Sequence, residues 1–392
     1  MGKAVSTLIV NDKIFYHQVI CLEKPIDTKF FDIIKKKNKV ITTKKNSIIK
    51  KYLDKVDIVQ IEYWNHPQLL KTLASLKNFK QRVVLWVHQS GECYPKIPKK
   101  ILRNKNMEIV FTSSRSFQFH KKLNEKNFHF ISSATSLIQK KIVNKPFFKC
   151  IYIGSFHENK IYKNFISLIS ESLDVIGRFD MYGEDKLKKK LLPEIKKNRL
   201  QKKIYIHGYI KNIKNIYNKN SVLLYFLNKD HYGTGENVLI ESMSNGIVPV
   251  VLNNSLESSL IINNVNGIIL KNKNNLRNVL LKLKFNNKYR INLSKKCINF
   301  ANTNFSSKLQ IKKFNTLYSK KTKEIKANFN FANMVGVNAF EIFNNLLDKK
   351  IIEIEKIQSN NKGGIMHFKK IFRNDPSLLQ LSKKYPLRKK II

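Results

Sequence analysis

Acidic residues and cysteines are both scarce in this chain of 392 residues. Only 27 Asp and Glu residues stand against 74 Lys and Arg residues, so the formal net charge is +47. The four cysteines are far apart and form no C-x-x-C pair, so the sequence predicts neither a disulfide framework nor a thiolate metal site. This cysteine usage fits a reducing compartment best.

Several signatures of catalytic and metal sites are also missing. The sequence has no G-x-x-x-x-G-K-[ST] loop, which excludes a P-loop, and no G-x-S-x-G nucleophile elbow. No D-x-D pair occurs that could hold a divalent cation on a sugar nucleotide. The segment HENKI begins like a zinc-binding H-E-x-x-H motif, but Ile161 takes the place of the second His. We therefore expect no metal site and no cofactor.

No apolar run is long enough to cross a bilayer, and the short apolar segment after Lys3 does not have the form of a signal peptide. We expect a cytoplasmic protein, attached peripherally to the cytoplasmic face of the membrane if its charge serves that purpose.

The large positive charge has three interpretations. Most basic residues are Lys, spread along the chain and mixed with much Asn, which indicates a compositional bias. The alternatives are an anionic membrane surface and nucleic acid. Specific binding of nucleic acid is not expected, because the predicted strands do not interleave aromatic and basic residues and no helix-turn-helix or zinc motif occurs.

Short β-branched or aromatic runs alternate with amphipathic segments through most of the chain. This alternation is typical of βαβ units and predicts an α/β fold with two doubly wound, Rossmann-like parallel-sheet domains. The predicted strands are 57–64, 82–88, 108–114, 128–134, 150–156, 178–183, 204–209, 222–227, 248–253 and 267–270. We expect domains at 1–145 and 146–323, joined near Pro146, and a helical tail of unknown role at 324–392.

The segment HYGTGENVLIESMSNGIVPVVLNN, which begins at His231, joins a glycine-containing loop to a helix and a strand. Its two loop glycines leave backbone N–H groups unobstructed at the helix N-terminus, where anions bind. Glu236, in the first helical turn, is either a partner of the helix dipole or a functional acid. Glu241 shares one helix face with Asn237 and is either a solvated helix residue or an acceptor for a ribose diol.

This segment and the one that follows it resemble the nucleotide-sugar domain of GT-B glycosyltransferases of the group 1 (GT4-like) family. The family signature contains two acids separated by seven residues, and Gly233 stands where the first acid is expected. Glu236 lies three positions later and is the candidate to help hold the donor sugar. The resemblance implies that Glu241, as the second acid, holds the ribose. The rest of the signature is matched by Gly246, Pro249, Val250, Glu257, Asn266 and Gly267.

Two other segments resemble further parts of the family's donor site. In YIGSFHENKIYKNFISLI, Ser155 replaces the usual Arg, and Lys160 and Lys163 are the candidates to neutralise the diphosphate, unless they are plain surface lysines. IYIHGYI resembles the strand and loop beside the nucleotide base, although Tyr209 has the alternative of being a core residue. The implied donor-binding residues are Gly154, Ser155, Lys160, Gly208, Tyr209, Ile210, Thr234, Gly235, Asn237, Val238 and Glu241.

In the first domain, VVLWVHQSG resembles the strand and loop that carry a His facing the donor sugar, which indicates His88. This residue ends a predicted strand, where open α/β sheets bind ligands, with a purely structural His as the alternative. The candidate catalytic residues are therefore His88, Glu236 and Lys163. The candidate acceptor cleft, with plain loop packing as its alternative, consists of Trp64, Asn65, His66 and Ser90.

The resemblance implies two domains that face each other across a cleft, with the acceptor in the first and the sugar nucleotide in the second. It implies retaining, metal-independent transfer from a nucleoside diphosphate sugar to a saccharide or lipid-linked acceptor, in the biosynthesis of cell-surface polysaccharide or lipopolysaccharide. The family begins with a strand and a Gly-rich loop, whereas MGKAVSTLIV resembles the helix that follows them. We therefore expect either that the chain starts late or that the first strand is missing. The alternatives are a catalytically inactive GT-B binding module and a basic nucleic-acid-binding protein.

Overall fold

The computed structural model describes most of the chain. Two compact units are found, one formed by residues 1–132 and 310–392 and the other by residues 133–309. The first boundary therefore lies before Pro146, and the chain returns to the first unit earlier than the expected position 323. The described residues are 2–92, 94–123, 126–134, 145, 147–155, 160–183, 188–210, 212–229, 231, 237–254, 256–347 and 363–385.

Strands and helices alternate as the sequence predicts, and each predicted strand is present within a few residues of its expected bounds. The strands are β1 (Gln18–Cys21), β2 (Lys39–Thr42), β3 (Val59–Tyr63), β4 (Phe79–Gln81), β5 (Val83–Val87), β6 (Met107–Phe111), β7 (Phe128–Phe130), β8 (Cys150–Ile153), β9 (Phe179–Tyr182), β10 (Ile204–His207), β11 (Val222–Tyr225), β12 (Val248–Leu252), β13 (Ile268–Leu270) and β14 (Ala327–Phe329). The helices are α1 (Gly2–Asn11), α2 (Lys29–Lys35), α3 (Asn46–Leu53), α4 (Pro67–Ser75), α5 (Lys99–Leu102), α6 (Ser114–Lys121), α7 (Phe165–Ser170), α8 (Leu173–Ile176), α9 (Lys188–Lys197), α10 (Ile213–Asn218), α11 (Asn237–Ser244), α12 (Leu276–Phe285), α13 (Asn287–Phe305), α14 (Ser307–Lys321), α15 (Phe331–Val335), α16 (Ala339–Asn345) and two further helices, Ile365–Ile371 and Leu378–Lys384.

The second unit is built on a six-stranded parallel sheet in the order β10-β9-β8-β11-β12-β13. Strands β8, β11 and β12 are buried along their whole length, as expected for continuous apolar runs covered on both faces. The chain adds strands on one side of β8 and then crosses to the other side at β11. The gap between β8 and β11 is therefore the topological switch point, where doubly wound sheets bind ligands.

The first unit has a four-stranded parallel sheet in the order β3-β5-β6-β7, while β1 and β2 form a separate parallel pair. Helix α1 is the first described element, and its buried Val5 and Leu8 share a core cluster with Val84 and Trp86 of β5. The sheet places the ends of β3 and β5 side by side, and the amide of His88 donates to the carbonyl of Tyr63 over 2.9 Å.

The C-terminal segment is not a separate tail, because its described residues complete the first unit. Strand β14 pairs antiparallel with β4, and Phe329 stands opposite Phe79. Phe343 and Phe368, from helices further along, are fully buried in the same core as β5 and β6. The segment is helical as predicted. Its amphipathic helices join the first unit because their apolar faces bury against this core.

Candidate functional site

The loops at the switch point bring two predicted donor segments together. Gly154 and Ser155 follow β8, and the backbone of Lys160 runs beside the residues that follow β11. The Asn228 amide donates to the Lys160 carbonyl over 2.8 Å, and the Lys160 Nζ lies 5.6 Å from the ring centre of Tyr225. Because an ammonium is thus held at the ends of the two central strands, this edge of the sheet suits an anionic group.

Lys163 lies slightly further along, in the turn that leads into α7, and its side chain is exposed. It is positioned by the chain segment before it, since the Tyr162 amide donates to the Phe226 carbonyl over 3.0 Å. A short antiparallel bridge between Ile161 and Leu227 completes this contact. The structure therefore brings Lys160 to the switch point directly and leaves Lys163 at its border.

Glu241 is the best defined of the predicted donor residues. It lies on α11, where its side chain is buried, so the alternative of a solvated helix residue is wrong. The Tyr217 hydroxyl donates to Glu241 Oε2 over 3.3 Å. Burial raises the pKa of Tyr217 well above its usual value, with a further contribution from the Glu241 charge, so this hydroxyl stays protonated and can donate. Glu241 is thus a carboxylate with a fixed orientation.

The buried Lys145 donates hydrogen bonds to the backbone at and near Tyr217. The Lys145 Nζ donates to the carbonyls of Tyr217 over 2.5 Å and of Asn220 over 2.8 Å. Burial lowers the pKa of this ammonium to about 7. Sequence reasoning missed both Tyr217 and Lys145, since a Tyr in an Asn- and Lys-rich helix and one Lys among many carry no signal of their own.

The loop between β11 and α11 is only partly described. Thr234, Gly235 and Glu236 lie outside the described residues, so their assignment stays a prediction. Asn237 and Val238 open α11 and are half-buried, and Val238 packs against the core of the second unit.

The described start of that loop is anchored by a pair that the sequence did not indicate. His231 Nε2 lies 3.2 Å from Glu257 Oε1, and the two side chains are 2% and 1% exposed. Because Glu257 follows β12, this pair ties the beginning of the loop to the neighbouring strand end. The resemblance matched Glu257 to the family signature, and its contact with His231 gives that position a structural reason.

The loop predicted to pass the nucleotide base, Gly208 to Ile210, follows the edge strand β10. Tyr209 is 63% exposed, so the alternative of a core residue is wrong. Beside it, the His207 ring stacks on Tyr182 with centroids 4.6 Å apart, and His207 Nε2 lies 2.6 Å from Asp180 Oδ1. The loop therefore presents an exposed aromatic ring next to a fixed one.

In the first unit, His88 follows β5 and is held by an acid on the neighbouring strand. Its Nε2 lies 2.6 Å from Glu62 Oε2, and its side chain is only 8% exposed. Burial lowers the pKa of His88, and the hydrogen bond and charge of Glu62 offset this only in part. The imidazole is therefore neutral at neutral pH. Glu62 was missed because the sequence does not show that strands β3 and β5 are neighbours.

The predicted acceptor residues lie at the strand ends and also make contacts that stabilise the fold. His66 Nδ1 accepts from the Gln68 amide over 3.2 Å and so caps α4, while its Nε2 lies 3.5 Å from Glu23. Trp64 lies beside His66 with ring centroids 5.7 Å apart, and Asn65 is buried.

The C-terminal segment reaches the same loop. The His367 ring contacts His66 edge-on with centroids 4.6 Å apart, and the Tyr94 hydroxyl donates to the Gly363 carbonyl over 2.9 Å. Ser90 is buried, and its carbonyl lies 3.1 Å from His120 Nε2, which fits the packing alternative for this residue. The segment therefore forms part of the wall beside Trp64 and His66, which the sequence did not predict.

The described residues contain neither a cluster of potential metal ligands nor a membrane-spanning helix. Within this part of the chain, no three His, Cys, Asp or Glu side chains come close enough together to hold a metal ion. None of the described helices is both long and apolar enough to span a bilayer.

Comparison with known proteins gives a family match and several structural matches. The family model described as glycosyl transferases group 1 matches residues 99–301, more than half of the chain. No curated protein sequence matches the chain significantly.

The three structural matches that follow have low sequence identity and therefore show the fold alone. HepE from Anabaena, solved in complex with UDP and glucose, is 12% identical, with a TM-score of 0.65 over 82% of this chain and 96% of HepE. A glycosyltransferase from Rickettsia africae is 16% identical, with a TM-score of 0.64 over 82% of this chain and 96% of its own. TarM from S. aureus is 16% identical, with a TM-score of 0.58 over 71% of this chain, which spans 58% of the TarM length.

Proposed function

The chain belongs to the group 1 glycosyl transferases and is a glycosyltransferase that uses a nucleotide sugar, and from this premise we propose which residues carry the reaction and which acceptor receives the sugar. The donor is a nucleoside diphosphate hexose held by the second unit. The acceptor is a hydroxyl of a saccharide or lipid-linked saccharide at the first unit. The observation that carries this proposal is Glu241, a buried carboxylate oriented by Tyr217 on the helix that follows β11, one of the two strands at the switch point.

At the donor end, Glu241 accepts hydrogen bonds from the two ribose hydroxyls. Exposed Tyr209 stacks on the base. Lys160 meets the negative charge that builds up on the leaving diphosphate, assisted by Lys163 and by the N-terminus of α11. The loop acid Glu236 helps to position the donor sugar. Because ammonium groups and a helix terminus neutralise the phosphates, the proposed reaction needs no divalent cation.

At the first unit, His88 contacts the donor sugar and the loop of Trp64 and His66 receives the acceptor. Transfer proceeds with retention of the anomeric configuration, as the family resemblance implies. The acceptor belongs to the synthesis of cell-surface polysaccharide or lipopolysaccharide. The basic surface supports a cytoplasmic enzyme that attaches peripherally to anionic headgroups, each Lys near such a surface contributing about 1 kcal/mol.

A second candidate is a catalytically inactive binding module of the same fold. It is favoured by Ser155, which stands where the family has an Arg against the diphosphate. Such a protein would bind the nucleotide and release no sugar, so binding and turnover have to be measured separately.

The test is a thermal-shift titration with UDP, GDP, ADP and CMP, each with and without EDTA, at moderate salt. Wild type is compared with Glu241→Gln and with Glu171→Gln, a matched control because Glu171 is exposed on the same unit. We expect one nucleoside diphosphate to give a saturable, EDTA-insensitive shift that only Glu241→Gln weakens. Hydrolysis of the matching diphosphate glucose then separates the enzyme from the binding module. Small, equal shifts from every nucleotide in all three proteins would contradict the proposed donor site.

A further inference from the structure

A chain of hydrogen bonds leads from helix α14 to His88 in the first unit. The Tyr318 hydroxyl lies 2.5 Å from Gln60 Oε1, and Gln60 Nε2 lies 2.7 Å from Glu62 Oε1. The second oxygen of Glu62 lies 2.6 Å from His88 Nε2. Gln60 and Glu62 are two residues apart on β3, so their side chains point to the same face of the sheet.

The chemistry of these groups fixes which atom donates and which accepts in each of these hydrogen bonds. An ionised carboxylate can only accept hydrogen bonds, so both Gln60 Nε2 and His88 Nε2 must donate to Glu62. This fixes the Gln60 amide, whose oxygen then accepts from Tyr318. Burial raises the pKa of Tyr318 well above its usual value, with the Glu62 charge adding to the effect, so its hydroxyl keeps the proton that it donates.

The same reasoning fixes the tautomer of His88. Because Glu62 accepts from Nε2, the proton of the neutral ring lies on Nε2 and the lone pair lies on Nδ1. Other His–acid pairs occur in the chain, such as His129 with Glu108 at 2.5 Å. The pair at His88 is distinguished by its position, since Glu62 lies on β3 and His88 follows the adjacent strand β5.

We propose that Glu62 is a positioning residue that holds His88 as its Nε2–H tautomer and so fixes the orientation in which the ring meets the donor sugar. Gln60 and Tyr318 act through Glu62 by fixing its carboxylate. The inference rests on the proposed function for the sugar contact, whereas the tautomer of His88 is a property of the protein alone.

The test uses the full chain labelled with ¹⁵N-histidine, in which NMR distinguishes the two ring nitrogens and His88→Gln identifies the His88 signals. Glu62→Leu removes both acceptor oxygens at nearly constant volume, and Glu62→Gln keeps one. Glu108→Gln is the matched control for Glu62→Gln, because Glu108 pairs with His129 in the same unit. Thermal unfolding of each variant confirms that the first unit is folded.

We expect the wild-type His88 to be a single Nε2–H tautomer, Glu62→Leu to give a mixture of both tautomers, and Glu108→Gln to leave His88 unchanged. Turnover of the diphosphate glucose selected by the nucleotide titration should fall about tenfold or more in Glu62→Leu, with its KM nearly unchanged, because misplacing a reacting contact mainly lowers kcat.

Two results would overturn the role of Glu62. One is a His88 tautomer that is the same in wild type and Glu62→Leu, and the other is a changed tautomer with unchanged kcat. Failure of the proposed function looks different, since wild type itself would then turn over none of UDP-, GDP- and ADP-glucose. In that case a tautomer that depends on Glu62 still supports its positioning role, and a tautomer that does not depend on it refutes that role.

Discussion

Replacing Lys145 should change how the stability of the second unit depends on pH. Lys145 is 3% exposed, and its Nζ donates only to carbonyls in the contacts described above. Burial lowers its pKa to about 7, whereas the pKa of a lysine in an unfolded chain is about 10.4. Between these two pH values the unfolded state binds more protons than the folded state, so the free energy of unfolding rises with pH.

The size of the effect follows from the difference between the two pKa values. Each pH unit in this window adds at most about 1.4 kcal/mol, so the whole rise is on the order of 5 kcal/mol. Below pH 7 Lys145 is charged in both states and its contribution is constant. Lys145→Met keeps most of the volume and removes the titrating group, so the free energy of unfolding of wild type relative to the variant should rise between pH 7 and pH 10.

The assay is urea unfolding followed by circular dichroism at pH 6, 7, 8, 9 and 10, taking the difference between wild type and variant at each pH so that other titrating groups cancel. Lys219→Met is the control, because Lys219 is exposed at the end of the same helix that carries Tyr217. Its stability should run parallel to wild type at every pH. Curves of wild type and Lys145→Met that also run parallel would refute the argument that the ammonium is destabilised by burial.

Two further predictions concern the contacts around α11. Tyr217→Phe removes the hydroxyl that orients Glu241 and should raise the Kd of the bound nucleoside diphosphate about tenfold, since a hydrogen bond to a charged group contributes about 1.5–3 kcal/mol; an unchanged Kd by calorimetry would contradict this. Gly246→Ala should lower the free energy of unfolding by about 2–4 kcal/mol, because φ is +69° and the new Cβ would lie 2.6 Å from Ser294 Oγ. A loss below about 0.5 kcal/mol in urea unfolding would contradict it.

The sequence predicted the parallel sheets well because their strands are short apolar runs buried on both faces. Val83–Val87 and Met107–Phe111 are buried at every position, and such runs are readable without knowing their neighbours. It missed β1 and β2, which are partly exposed and lack this signal. It also missed the pairing of β4 with β14. The two strands are far apart in the chain, and the sequence around each strand does not indicate its pairing partner.

For the candidate site, the sequence predicted the positions of the main residues but not the side chains that they contact. The resemblance placed His88 at a strand end and Glu241 on a helix, and the structure has them there. Their partners Glu62 and Tyr217 come from other elements, so only the folded sheet and the packed helices bring them into contact. The roles of all four residues in transfer stay predictions. What sequence alone could not supply is the set of contacts that orient each functional group.

The return of the chain to the first unit has a consequence for synthesis on the ribosome. The second unit is one continuous stretch, residues 133–309, and all of its strands are available once that stretch has emerged. The first unit begins earlier but lacks Phe329, Phe343 and Phe368 until the last part of the chain is made. Its N-terminal sheet therefore lacks part of its apolar packing while the second unit is synthesised, so we expect the second unit to complete its fold first, against the usual N-to-C order of domain folding. A premature stop shortly after position 310 would spare the second unit and leave the first without part of its core.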